Sequence, residues 1–365
     1  MLLASLITIS AWWRYFCKYF QILDKPGPDV PKRDRVPTIQ GVGVMLCFIF
    51  GIIYLYQIWS LQDLMHPSFY GLYLWAGLIF LVTLCDEMGR IFSAKLRVSS
   101  KIRLLVQILV WVIAFSLSNV WIYSIPLPWL ENIVLSDGLA LVMTIAWFVL
   151  YMNAINWFDG VYGLASGVAT IGFWMMFGLL LLVVFPSYAL VDQLQISILS
   201  NTMYIALLLA MIGSLYMVIE YKPWGLLRDV WTMLFGFLLA YISLVGGAKI
   251  GSMIVVLALP IFDAVWVIVD RLRQKKNPMQ GDYSHLHYRL MALGRDRHEV
   301  RWFIRWYSFV MMVLMLLQGT DKMGKLIIFV MMFLIFFGVN MYLFWIKKLP
   351  SVYKPEVRKD NNDEV

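Results

Sequence analysis

The chain has 365 residues, 61% of them hydrophobic and only 14% charged, with a formal net charge of +8. Soluble domains carry roughly a quarter charged residues, so an ordinary soluble enzyme is excluded, and 16% aromatics with scattered Gly and Pro exclude disordered, collagen-like and coiled-coil chains as well. What remains is an all-α, polytopic membrane protein with little mass for a separate soluble domain.

A bilayer core of about 30 Å takes roughly 20 helical residues. In chain order that ruler predicts about ten to eleven spans, at 1–20, 41–60, 69–85, 103–123, 138–153, 163–186, 195–219, 230–248, 250–269, 303–318 and 325–346. The first 20 residues lack a basic leader and a small-residue cleavage site, which predicts a retained first span. Residues 1–346 then form one multi-span unit with polar connections at about 21–40, 86–102, 154–162, 220–229 and 270–302, followed by a charged tail at 347–365. No internal repeat is visible. Cys17, Cys47 and Cys85 lie in or beside apolar segments without a C-x-x-C pair, which predicts packing residues and argues against a disulfide framework or a zinc site.

Basic loops stay in the cytoplasm. With the N-terminus outside and the C-terminus inside, most of the 30 Lys and Arg fall on the inner side, and only Lys249, Lys322 and Lys325 face outward. Topology and anionic lipid thus account for the net charge. Nucleic acid is not expected as a partner, because no basic soluble domain exists to bind it. The same parity places Asp86, Glu87, Asp159, Asp229, Asp282, His285 and His287 at the inner ends of spans or in inner loops. Carboxylates beside apolar helices are costly unless paired, hydrated or bound to a cation. A hard divalent ion meets that need, since Mg²⁺ commonly takes one or two carboxylates plus phosphate oxygens.

Four stretches carry chemistry. In Asn153-Ala-Ile-Asn156-Trp-Phe-Asp159-Gly160-Val-Tyr-Gly163-Leu-Ala-Ser-Gly167 a span ends in two amides and a carboxylate at three-residue spacing, hence on one helical face. Its glycines would let a phosphate or sugar approach the backbone. Leu84-Cys85-Asp86-Glu87 ends another span in two acids, followed by a basic loop and Gln107. Leu227-Arg228-Asp229 puts one acid at a span start, and Asp282-Tyr-Ser-His285-Leu-His287-Tyr288-Arg289 sets two imidazoles and a guanidinium in the largest inner loop. Residues two apart do not share a helical face, so His285 and His287 are expected in a loop or at a helix start. His66 and His298 match no such element and are expected to be interfacial or solvated. Arg289 serves equally as a topology-setting cation.

The order and spacing of these stretches resemble the polyprenyl-phosphate N-acetylhexosamine-1-phosphate transferases, from about Asp24 to about Gly294. The family's N-x-x-N-x-x-D-G segment is matched in full by Asn153 to Gly160. Its P-x-x-D element is similar to Pro260-Ile-Phe-Asp263 with Arg271, its H-x-H-H element to His285-Leu-His287-Tyr288, and its early D-x-P and P-T-x-G-G elements to Asp24-Lys25-Pro26 and Pro37-Thr38-Ile39-Gln40-Gly41. The chain departs from the pattern at Glu87 for an Asp, Arg228 for a Gly, Tyr288 for a His and Tyr162 for an acid. The H-x-H form resembles the GlcNAc-1-phosphate branch more than the MurNAc-pentapeptide branch.

The resemblance implies Mg²⁺-dependent transfer, with Mn²⁺ as a substitute, of a HexNAc-1-phosphate from a UDP-N-acetylhexosamine to undecaprenyl phosphate at the inner face of the plasma membrane. It implies Asp229, Asn156 and Asp86 around the metal and Asp159 in the nucleotide pocket. Asp86, supported by Glu87, would position or deprotonate the lipid phosphate. His285, His287 and Arg289 would hold the diphosphate or sugar, and Asn153, Gly160, Asp263 and Thr38 would line the substrate. It also admits a homodimer, for which no stretch marks an interface. Other classes compatible with membrane acids are a MurNAc-pentapeptide-type transferase, a catalytically impaired relative acting as a scaffold, and an ion-coupled transporter. The last predicts acids at the bilayer midplane and repeated halves.

Overall fold

The computed structural model describes residues 76–83, 85–86, 102–109, 120–125, 132–187, 193–219, 228–245, 250–277, 284–319 and 321–342, with isolated positions at 15, 19, 23–24, 38–39, 69 and 72. Most of the predicted spans 1–20 and 41–60, together with Glu87 and Asp282, lies outside the described residues. Two-residue strands β1 (Leu23–Asp24) and β2 (Thr38–Ile39) pair antiparallel, as do β3 (Ser124–Ile125) and β4 (Ile133–Val134). The helices are α1 (Asp137–Trp157), α2 (Leu164–Ser187), α3 (Gln193–Ile219), α4 (Arg228–Val245), α5 (Ile250–Val256), α6 (Ala258–Arg273), α7 (Leu286–Ala292), α8 (Arg297–Gln318) and α9 (Lys322–Met341).

The protein is an all-α, multi-pass membrane protein. Five of the described helices, α1, α2, α3, α8 and α9, are long and apolar enough to cross a bilayer. Outward apolar side chains on α9, such as Ile327, Phe333, Leu334 and Ile335, are exposed, as suits a face turned to lipid. Inside, helices pair closely: α1 with α4, α2 with α3, and α8 with α2. The α1–α4 contact turns on a glycine. A Cβ added at Gly236 would stand 2.6 Å from both Met152 Cα and Tyr151 O of α1, so only glycine allows this approach, as at small-residue interfaces of membrane helices. Trp147 Nε1 stitches the same pair, 3.3 Å from Ser243 Oγ, and the Phe148 and Phe237 rings pack at 5.6 Å. Gly236→Ala is expected to force the helices apart at a cost of about 1–3 kcal/mol, read as a lower midpoint of thermal unfolding in detergent, with reduced activity because both helices carry polar residues at one end.

Three expectations are corrected. The predicted single span at 250–269 is broken: α5 and α6 meet at Leu257 with an 81° bend. Pro260 explains the break, because it has no N–H to give Val256 and its ring would strike that carbonyl in a continuous helix. The span predicted from 303 begins six residues earlier as α8, because Asp296 and Glu299 form a reciprocal capping box, with Glu299 N donating to Asp296 Oδ1 at 2.8 Å and Asp296 N to Glu299 Oε2 at 3.2 Å. Cys85, expected to pack, is exposed, because its neighbour Asp86 takes the inward direction and is 2% exposed.

Candidate active site

Four separate segments bring polar ends together. Asp86 lies in the helical residues 85–86, Arg103 in the helical residues 102–109, Asn153 and Asn156 in the last turns of α1, and Asp229 in the first turn of α4. Asp229 Oδ1 accepts from Asn156 Nδ2 at 2.9 Å, while its Oδ2 accepts from Arg103 Nη1 at 2.7 Å. The same Arg103 nitrogen lies 3.5 Å from Asp86 Oδ2. Asn156 Nδ2 also reaches Thr232 Oγ1 at 2.8 Å. One turn earlier, Asn153 Nδ2 donates to Gln107 Oε1 at 3.1 Å and to Val149 O at 2.7 Å. Asp229 sits in the first turn of α4, where the helix dipole favours a negative charge. Two carboxylates from different helices thus share one cation. Arg103 belongs to none of the four stretches, and no local signal marks it as the partner of Asp86 and Asp229.

The histidines form an adjoining wall. His285 caps α7 and His287 follows in its first turn, as the two-residue spacing required. Their rings stand parallel, 3° between planes and 6.0 Å between centroids. Asp263 of α6, fully buried, holds this wall from behind. Its Oδ2 lies 2.9 Å from His285 Nδ1, and its Oδ1 accepts from Leu286 N and from Arg289 Nη2, both at 2.8 Å. Arg289 also donates from Nη1 to Asn340 Oδ1 near the end of α9. Asn340 belonged to no recognised motif.

The Asp159–Gly160 segment joins the two clusters. Trp157 packs its ring 5.5 Å from His285 and lies under Arg271 at 5.9 Å; Phe158 meets His287 at 5.6 Å. Asp159 is 4% exposed. The glycines expected to admit a ligand make room for protein side chains instead: a Cβ at Gly160 would meet His287 and Tyr288, and one at Gly163 or Gly167 would meet Arg305. Thr38 lies in β2 with its backbone opposite Asp24, so the two early elements are register partners.

Among the described residues no group of three or more His, Cys, Asp or Glu converges as a complete metal site. The donor chemistry nonetheless fits a hard ion. Asp86 and Asp229 offer carboxylate oxygens around one cationic position, and the Asn156 amide, whose Nδ2 is committed to Asp229 and Thr232, offers an oxygen. Mg²⁺ at phosphate-transfer sites needs few protein ligands, the rest coming from phosphate and water.

Residues 69–247 match the model for glycosyl transferase family 4, a stretch that includes Asp86, Arg103, Asn156, Asp159 and Asp229. The chain is 25% identical over 250 residues to a probable undecaprenyl-phosphate N-acetylglucosaminyl 1-phosphate transferase of Bacillus subtilis, covering 66% of each chain. It is 27% identical over 287 residues to an undecaprenyl-phosphate alpha-N-acetylglucosaminyl 1-phosphate transferase of Yersinia pestis, covering 75% of this chain and 70% of that one. A protein of the same description from Escherichia coli K12 is 25% identical over 292 residues, covering 77% and 72%. The aligned part thus spans about two thirds to 72% of these relatives' lengths.

Proposed function

We propose that this chain, which belongs to glycosyl transferase family 4, transfers a HexNAc-1-phosphate, GlcNAc-1-phosphate above all, from a UDP-sugar to undecaprenyl phosphate, releasing UMP. The meeting of Asp86, Arg103, Asn156 and Asp229 from four separate segments supports this, as do the printed activities of the relatives. In the reaction a phosphate oxygen of the lipid attacks the β-phosphorus of the UDP-sugar, and the bond from that phosphorus to the bridging oxygen of UMP breaks. A lipid phosphate is already ionised near neutral pH, so the protein's main task is to neutralise and align two anions.

Asp86, Asp229 and the Asn156 oxygen would hold Mg²⁺ or Mn²⁺. When bound, the ion supplies positive charge to the phosphate oxygens of both reactants. Arg103 supplies a fixed cation between the two carboxylates and is drawn to the phosphate as it enters. Asp86, with Glu87 beside it in sequence, orients the lipid phosphate. Asp159 belongs to the nucleotide pocket, and His285 and His287 face the diphosphate or sugar. Asp263 and Arg289 act behind the histidines, since the Asp263 oxygens are engaged by His285, Leu286 and Arg289. The active face is the inner one, with the N-terminus outside, the C-terminal tail cytoplasmic and residues 1–346 acting as one membrane unit.

The purified chain in lipid–detergent micelles, given UDP-GlcNAc, Mg²⁺ and undecaprenyl phosphate, is expected to yield UMP and a lipid-linked sugar in equal amounts. EDTA is expected to stop both, and Mg²⁺ or Mn²⁺ to restore them. Folded protein that releases no UMP from UDP-GlcNAc, UDP-GalNAc or UDP-MurNAc-pentapeptide would replace a transferase with a scaffold.

A further inference from the structure

Tyr162 and Gly163 make the turn by which the chain leaves the Asn-x-x-Asn-x-x-Asp-Gly segment and enters α2. Gly163 has a φ of +74°, a left-handed conformation that suits glycine. The turn is closed by Leu164 N donating to Val161 O at 3.0 Å and Gly167 N donating to Gly163 O at 3.1 Å. Both carbonyls at its apex accept from arginines of α8. Arg301 Nη1 donates to Tyr162 O at 3.1 Å, and Arg305 Nη2 donates to Gly163 O.

These arginines lie 139 and 142 residues beyond the turn, outside every motif that resembles the family. Four residues apart on α8, they share one face, in the first turns of a helix that the Asp296–Glu299 capping box starts at Arg297. Arg301 is buried, and its Nη2 lies 2.7 Å from His298 Nδ1. Gly163 and Gly167 leave the volume that the Arg305 side chain fills, since a Cβ at either would overlap it. A guanidinium suits the task better than an ammonium, because its planar fork reaches a carbonyl while further N–H groups bond elsewhere. Burying a cation such as Arg301 among membrane helices is costly and marks a task.

We propose that Arg301 and Arg305 are positioning residues, a clamp from α8 that fixes the 161–163 turn and thereby sets the direction of Asp159 in the donor pocket. The clamp rests on the transfer reaction proposed above and adds how its nucleotide side is held in place. Neither arginine needs to touch a reactant. A misplaced turn should weaken donor binding selectively, because the lipid phosphate is handled by Asp86 on a different segment.

The test uses the full chain in lipid nanodiscs, with Arg305→Met, Arg305→Lys and Arg301→Met. Hydrogen exchange at the Leu164 and Gly167 amides is expected to quicken on the order of tenfold in Arg305→Met, the loss of one charge-assisted hydrogen bond. The KM for UDP-GlcNAc is expected to rise by about as much, with the KM for undecaprenyl phosphate unchanged and Arg305→Lys recovering part of both effects. Unchanged exchange overturns the clamp. So does a lower kcat with both KM values intact, which signals only a smaller folded fraction. If the parent protein turns over no UDP-HexNAc, the transferase assignment fails by itself, and the exchange rates still decide whether the arginines hold the turn.

Discussion

Asp229→Ala is expected to cut UMP release on the order of 10³-fold at saturating substrates, the scale seen when one preorganised electrostatic partner is removed from a reacting site. Asp229 is 5% exposed and is the only described group bonded to both Asn156 and Arg103. Without it the guanidinium loses its 2.7 Å partner and the amide loses one of its two acceptors. The fold should survive, because the Arg103 side chain is 23% exposed and its freed guanidinium can turn to water, while the lost dipole contact at the helix start costs about 0.3–1 kcal/mol. Asp229→Asn separates charge from shape. It keeps an oxygen for Asn156 but no longer neutralises a cation, and it is expected to be nearly as inactive as alanine. A thermal midpoint close to the parent's must accompany the loss; an asparagine variant that works at the parent rate would mean the carboxylate charge is irrelevant.

Asp263→Ala is expected to destabilise the protein by about 3–5 kcal/mol, because it leaves the buried Arg289 guanidinium without its counter-charge. Asp263 is 0% exposed and serves three donors at 2.8 to 2.9 Å. Unfolding of the reconstituted protein, followed by tryptophan fluorescence in increasing denaturant, measures the change. A loss below about 1 kcal/mol, the worth of an ordinary single hydrogen bond, would mean that the wall of histidines is held by packing alone. The same variant should lose activity beyond its folded fraction, since His285 would no longer have a fixed orientation.

Much of this architecture is legible from residue order because an apolar stretch of about 20 residues has few alternatives in a bilayer. The predicted spans at 138–153, 163–186 and 195–219 correspond to α1, α2 and α3 within a few residues. The break at Leu257 had its signal in Pro260, and the early start of α8 had its signal in the Asp296–Glu299 pair. Both are local rules outweighed by the apolar pattern on either side. The long-range partners had no such signal. Arg103, Arg301, Arg305 and Asn340 are ordinary residues in sequence, and each acquires its task only from a helix that packs beside it. A basic residue at a span end looks the same whether it faces phospholipid or a buried carboxylate.

Arg289 finds Asn340 51 residues downstream, and the turn at Gly163 waits 142 residues for Arg305. During synthesis, therefore, the acids emerge from the ribosome long before the groups that immobilise them. A nascent chain already threaded through α4 carries every carboxylate of the first cluster, yet the guanidinium behind its imidazole wall gains its Asn340 partner only when the final described helix has packed. The polar contacts that fix the two clusters are therefore complete only once α8 and α9 have packed against the helices made before them.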